Sequence, residues 1–157
     1  MEALTAGQFS LVYNAFSFGI ATFAAATLFF WFGRSQVSHH YKTALTITGA
    51  ADIDGAFTGI SNLSISGTSN IGADITTSGA QTYAGAVTLS GGDRTLAGST
   101  INTQSTLAGG GNALTITGDA DIDGAFTGIT NLIVSGASNM GANITTSGTQ
   151  TYAGAVT

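Results

Sequence analysis

The feature that most constrains this chain is a near-duplication. Residues 44–88 read ALTITGAADIDGAFTGISNLSISGTSNIGADITTSGAQTYAGAVT, and residues 113–157 read ALTITGDADIDGAFTGITNLIVSGASNMGANITTSGTQTYAGAVT. Of the 45 aligned positions 37 are identical, with Ala44 aligned on Ala113 in a 69-residue period. Self-similarity at a fixed period marks a repeat architecture, in which a unit buries its apolar face only by stacking on its neighbour. Inside the copies aliphatic residues alternate with Thr or Ser and each run ends on Gly. The runs are LTITG at 45–49, LSISG at 63–67, VTLSG at 87–91, LTITG at 114–118 and LIVSG at 132–136. Period two sends one set of side chains to one face, and Gly closes each strand. Strands this short cannot bury their face alone, so the reading is mainly β, a parallel β-helix. With coils of roughly 20–25 residues, one 69-residue unit holds about three of them. The absence of Pro agrees with long stretches of regular strand.

Charge and composition exclude several functions. From Ala44 onward seven Asp stand against the single Arg94. A nucleic-acid backbone needs clustered Lys and Arg, so no nucleic-acid partner is expected. Cysteine is absent, which removes disulfide scaffolds and thiolate metal sites.

Residues 1–43 are a different polymer. Seven of the nine Phe lie there, and no charged side chain occurs between Glu2 and Arg34. Leu11 to Phe32 is a 22-residue apolar run, long enough as a helix for the roughly 30 Å hydrocarbon core of a bilayer. Tyr13 and Trp31 fit the aromatic belts at its two interfaces, and Asn14, Ser17 and Thr22 can bond within the helix or to a neighbour. A cleaved signal peptide fits less well, because Met1–Gln8 has no basic residue and the run is too long. The expected organisation is one N-terminal transmembrane helix with a basic loop over 1–43, contacting the bilayer through 9–33, then a β-solenoid over 44–157. Arg34 and Lys42 come just after the helix, and the positive-inside rule then places the chain beyond Gly33 in the cytoplasm.

Two resemblances bear on these halves. GQFSLVYNAFSFGIATFAAATLFFWFGRSQVSHHYKTALTITG, Gly7 to Gly49, resembles the first transmembrane helix and loop of microbial rhodopsins, the proteorhodopsin and xanthorhodopsin-like group. That family implies seven helices and retinal on a lysine of the seventh. The only lysine here is Lys42, in the loop, so no retinal is expected, and this half reads alternatively as a rhodopsin fragment without its cofactor machinery. TYAGAVTLSGGDRTLAGSTINTQSTLAGGGNALTITG, Thr82 to Gly118, resembles the passenger repeats of filamentous-haemagglutinin-like adhesins and autotransporters. That resemblance covers 44–157 and implies an extracellular structural or adhesive surface with host or cell-surface ligands. It opposes the charge-based topology. The shared word ALTITG, at Ala44–Gly49 and Ala113–Gly118, marks a junction where a crossover could join two unrelated pieces, and a fusion or partial reading frame is the expectation.

Few residues carry site chemistry. Asp119, Asp121 and Asp123, followed by Gly124, have the alternate spacing that opens a calcium loop. The closing Glu of an EF-hand would fall at Thr130, and copy one has Ala50 in place of the first Asp. The plainer reading sets these Asp on a strand, facing solvent beside Ile122. His39 and His40 are adjacent, point apart and lack a third ligand. Asn62-Leu63-Ser64 and Asn143-Ile144-Thr145 have the form of glycosylation sequons, which a Ser- and Thr-rich chain produces by chance. Gly109–Gly111 has no following Lys and reads as a turn, not a phosphate cradle. No Ser has a positioned base, so no catalytic activity and no cofactor are expected. With fewer than two full units the solenoid is also expected to fold weakly on its own.

Overall fold

A computed structural model describes residues 43–157. They form a parallel β-solenoid of about six coils. Its strands, in chain order, are β1 (Thr43–Ile47), β2 (Ala51–Ile53), β3 (Phe57–Ile65), β4 (Ser69–Ile71), β5 (Ile75–Thr77), β6 (Gln81–Tyr83), β7 (Val87–Leu89), β8 (Arg94–Thr103), β9 (Leu107–Ala108), β10 (Leu114–Ile122), β11 (Phe126–Ile129), β12 (Leu132–Val134), β13 (Ser138–Met140), β14 (Ile144–Thr146) and β15 (Gln150–Tyr152). Every pairing between them is parallel. The expected transmembrane helix at 9–33 lies outside the described residues, as does the rhodopsin-like segment up to Lys42, while the last residues of that segment, from Thr43 to Gly49, form β1 and the solenoid corner after it. Among the described residues no helix is long and apolar enough to cross a membrane.

Each coil has three short faces. The first carries the register Leu45, Leu63, Gln81, Ile101, Ala120, Ser138, Val156. The second carries Ala51, Ser69, Val87, Leu107, Phe126, Ile144. The third carries Phe57, Ile75, Leu96, Ile116, Val134, Tyr152. The first and third faces share the nine-stranded sheet, because β3, β8 and β10 run unbroken around the corner between them. The second face is the separate six-stranded sheet.

Hydrogen-bonded partners on successive coils lie 18 residues apart at both ends of the stack. In the middle the separation grows to between 19 and 21. The coils at both ends are thus shorter than the roughly 20–25 residues expected from the sequence, and only the longest in the middle reach that range. Eighteen residues divided among three faces is six per face, three in the strand and three in the corner. The starts of the strand words confirm it, at 45, 51, 57, 63, 69, 75, 81 and 87, and again at 114, 120, 126, 132, 138, 144, 150 and 156. The structural period is therefore a hexad. The residues beyond the hexad count fall partly in two corner loops, around Ser90–Asp93 and Gly109–Asn112. Their backbones turn through positive φ at Gly91 (70°), Gly92 (128°), Gly110 (62°) and Gly111 (85°). Arg94 spans the first loop and donates to the carbonyls of Ile71, Ser90 and Asp93. Asn112 closes the second by donating to Gly109 O at 2.9 Å. The glycine-run reading of 109–111 as a turn holds.

The core is a stack of thin layers filled by two inward side chains per face. Large residues share a layer with small ones. Phe57 faces inward in the layer of Ala51, and Phe126, fully buried, in the layer of Ala120. The same compensation in both copies follows from the word ADIDGAF. Each layer is covered above and below by its neighbours, which buries Leu63, Ile65, Ile71, Leu96, Ile101, Ile116 and Leu132 at 2% exposure or less. Burial of this kind is worth roughly 1.5–3 kcal/mol per side chain.

At one corner of each copy glycines stack coil on coil, Gly49–Gly67–Gly85 and Gly118–Gly136–Gly154. A Cβ on Gly136 would lie 2.5 Å from the carbonyl oxygen of Gly118, whereas one on Gly55 meets nothing within 4 Å. Gly136→Ala is therefore expected to cost about 2 kcal/mol, while Gly55→Ala leaves stability within about 0.5 kcal/mol, read by thermal melting.

Candidate functional site

The outward side chains form rows along the stack, one residue per coil, spaced about 4.8 Å apart by the parallel ladder. On the first face Asn102 Nδ2 donates to Asp121 Oδ2 at 3.0 Å, and Asn139 Nδ2 donates to Asp121 Oδ1 at 2.8 Å. On the second face Asn70 Nδ2 donates to Asp52 Oδ1 at 2.7 Å. Each carboxylate is thus held between or beside amides of neighbouring coils. The third face carries Thr95, Thr115, Ile133 and Thr151 in register, with Ile133 exposed.

Acidic and amide residues at the corners do a second job. A strand that turns a corner leaves the first amide beyond it without a ladder partner, and a short oxygen-bearing side chain one coil back can satisfy it. Asp119 Oδ1 accepts from Ala137 N at 2.8 Å, Asp74 Oδ1 from Thr95 N at 2.9 Å, and Asp93 Oδ1 from Ala113 N at 2.8 Å. Asn62 does the same for Ala80 N at 2.8 Å, and Asn131 for Thr149 N at 2.9 Å.

These bonds place the calcium candidates. Asp119 stands at a corner capping Ala137, Asp121 faces outward mid-strand between two Asn, and Asp123 stands exposed at the following corner beside Gly141. A shallow open groove runs beside the first two, lined also by Thr100, Ser138, Asn139 and Thr157. Among the described residues no three His, Cys, Asp or Glu converge in a metal-holding group. Asp119 and Asp121 already serve as acceptors for neighbouring coils. Asn62 of the first sequon is likewise engaged as a cap, while Asn143 is exposed. His39 and His40 lie outside the described residues.

One polar cluster has no counterpart in the sequence reading. Gln81 is fully buried, and its Nε2 donates to Ala97 O at 2.8 Å and Ile75 O at 3.2 Å. Tyr83, also fully buried, donates its hydroxyl to Gln81 Oε1 at 2.7 Å, and Thr77 Oγ1 donates to Gly79 O at 2.8 Å. Every polar atom of Gln81 therefore has a partner, which is what allows it inside. The signal was its place on the hexad, six residues after Ile75 and six before Val87. In the second copy Gln150 and Tyr152 repeat the bonds, with Tyr152 hydroxyl to Gln150 Oε1 at 2.8 Å, but at an exposed position. By contrast Ser69 and Ser138, equivalent inward residues at 2% exposure, have hydroxyls without a hydrogen-bond partner.

The copies diverge mostly where side chains leave the core. Of the eight differing positions only Ile65/Val134 and Ile71/Met140 point inward, and both pairs stay apolar. The other six lie on corners or, at Ser64/Ile133, in an outward row. The fold and its surface define a β-solenoid repeat protein whose polar side chains mainly bind coil to coil. No known protein family, curated protein or solved structure matches the chain.

Burial pushes the Tyr83 hydroxyl well above its ordinary pKa of 10.0, and burial raises Tyr152 in the same direction. Above pH 10 the unfolded chain releases a Tyr83 proton that the folded chain keeps. The contribution is thus intact below pH 10 and is lost as pH climbs beyond it. Tyr83→Phe leaves Gln81 Oε1 buried without a donor and is expected to cost about 1–3 kcal/mol, against a near-neutral Tyr152→Phe. The variant is also expected to flatten the fall of melting temperature above pH 10. In a separate melt, millimolar calcium is expected to leave the transition unmoved, because Asp119 and Asp121 are engaged by neighbouring coils.

Proposed function

We propose that this chain is a structural surface element: a β-solenoid that displays rows of mostly uncharged polar side chains, without catalytic chemistry, tethered to a bilayer through residues 9–33. The observation that carries this reading is the use to which its reactive groups are put. The carboxylates of Asp52, Asp74, Asp93, Asp119 and Asp121 all accept hydrogen bonds from the adjacent coil. Side chains committed in this way stiffen a scaffold, and the remaining two Asp of the described residues, Asp54 and Asp123, are exposed with no metal-holding cluster formed around them. What remains for a partner is the outward row of the third face, Thr95, Thr115, Ile133 and Thr151, suited to broad, shallow contact with a host or cell-surface ligand. The likeness of Thr82 to Gly118 to adhesin passenger repeats supports an extracellular, adhesive role. The apolar run from Leu11 to Phe32 supports a single-pass anchor.

The test uses the absence of native cysteine. Thr151→Cys puts a single thiol in the exposed outward row of the third face. A membrane-impermeant maleimide is expected to label it on intact cells, and removal of residues 9–33 is expected to move the protein from the membrane pellet to the soluble fraction. Labelling only after permeabilisation would place the repeats inside and sink the adhesive reading. A membrane pellet unchanged by the deletion would sink the anchor.

A further inference from the structure

The two copies are nearly identical in sequence yet do not occupy the same faces. LTITG at 45–49 lies on the first face and leads into the second, where Ala51–Ile53 pairs with Ser69–Ile71. LTITG at 114–118 lies on the third face and leads into the first, where Ala120–Ile122 pairs with Ser138–Met140. The FTGI word sits on the third face at Phe57–Ile60 and on the second at Phe126–Ile129. From Leu45 to Leu114 the chain lays down eleven face segments, and eleven is not a multiple of three. The second copy is therefore turned back by one face relative to the first.

The local structure travels with the words. Gly49 and Gly118 keep φ of 151° and 126°, and Gly59 and Gly128 keep 76° and 64°, each pair on different corners. The amide–carboxylate bond is 2.7 Å from Asn70 to Asp52 and 2.8 Å from Asn139 to Asp121, again on different faces. The corner cap of Asn62 on Ala80 reappears as that of Asn131 on Thr149. The Tyr83–Gln81 bond reappears as Tyr152–Gln150. Corner geometry and coil-to-coil bonding are properties of the hexad, indifferent to the face that receives it.

We propose that the hexad, and not the 69-residue unit, is the quantum of this fold, and that the solenoid accepts insertion or loss of single hexads by rotating everything downstream by one face. A surface made of such units turns its outward rows by a third of a revolution with each 69-residue copy. A partner that recognises one copy then meets the next on an adjacent face. Length and direction of display become separately adjustable, in steps of six residues.

The experiment deletes residues 69–74, the hexad SNIGAD, from the full chain. In the parent, outward Ser64 neighbours Thr82 on the next coil. With the hexad gone, the first-face segment above Ser64 becomes Val87–Leu89, so Ser64 should neighbour Thr88. Pyrene is attached to Ser64→Cys/Thr82→Cys and to Ser64→Cys/Thr88→Cys in both backgrounds. The expected result is a cooperative β-rich melt in the deleted chain, with excimer emission several-fold higher for the 64/88 pair than for the 64/82 pair. The parent should show the reverse. Deletion of 69–86, one whole coil, preserves every face and serves as the comparison, and deletion of 69–71 alone should abolish the cooperative melt. The proposal is overturned if the six-residue deletion unfolds while the whole-coil deletion stays folded. It is overturned equally if the deleted chain folds but keeps the 64/82 excimer, since the missing hexad would then have been absorbed locally without rotation.

Discussion

Everything in this fold depends on the parallel backbone ladder between one coil and the next. Each coil donates and accepts along three short strands, as in Leu63 N to Ala80 O at 3.0 Å and Ser69 N to Ala86 O at 2.8 Å. Because the ladder is parallel and in register, each residue stands over the residue one coil away. That geometry converts a sequence of small and modestly apolar residues into a continuous core: an Ile too exposed in one strand is sealed by an Ile or Leu above and below it. The same geometry lines up the polar side chains outside, where Asn102, Asp121 and Asn139 form one bonded row. Core and surface are two consequences of one stacking rule.

The rule also explains why corners are the most restricted part of the chain. Backbones that stack at ladder spacing leave no room for a side chain where they turn toward one another. Glycine columns such as Gly118–Gly136–Gly154 meet that need, and short Asp or Asn side chains satisfy the amides that the turn leaves over. Five of the seven Asp of the repeat region accept a bond from an adjacent coil, so the acidic character of this half has a structural origin. A functional reading built on those carboxylates as free ligands has to compete with that use.

The architecture was legible in the sequence because a parallel solenoid writes itself as repetition and alternation. LTITG, LSISG and VTLSG announce strands whose inward residues are all aliphatic, and the β-helix follows. The coil length stands in the 18-residue spacing of LTITG at 45 from LSISG at 63, and was obscured because the segments between such words carry polar residues inward: Ser69, Thr77, Gln81 and Thr103 are all buried. Read by hydropathy these segments look like loops. They are strands because a thin layer has slots too small or too well bonded to need a large aliphatic side chain. Gln81 is accepted because Ala97, Ile75 and Tyr83 satisfy its amide. The roles of Asp119 and Asp121 were hidden for a related reason. Their partners, Ala137, Asn102 and Asn139, lie 18 or 19 residues away, a distance that means nothing until the coil length is known.

The most direct test of this account is a set of long-range nuclear Overhauser contacts in the uniformly labelled protein. Stacking at the observed register is expected to give contacts between the Ile65 methyls and the Tyr83 ring, and between the Val134 methyls and the Tyr152 ring. Each pair is one coil apart on one face. Contacts in these same coils at the longer spacing of roughly 20–25 residues would contradict the account. So would contacts between equivalent residues of the two copies, such as Ile65 with Val134, because they would mean that the 69-residue duplication, and not the six-residue segment, sets how this chain folds.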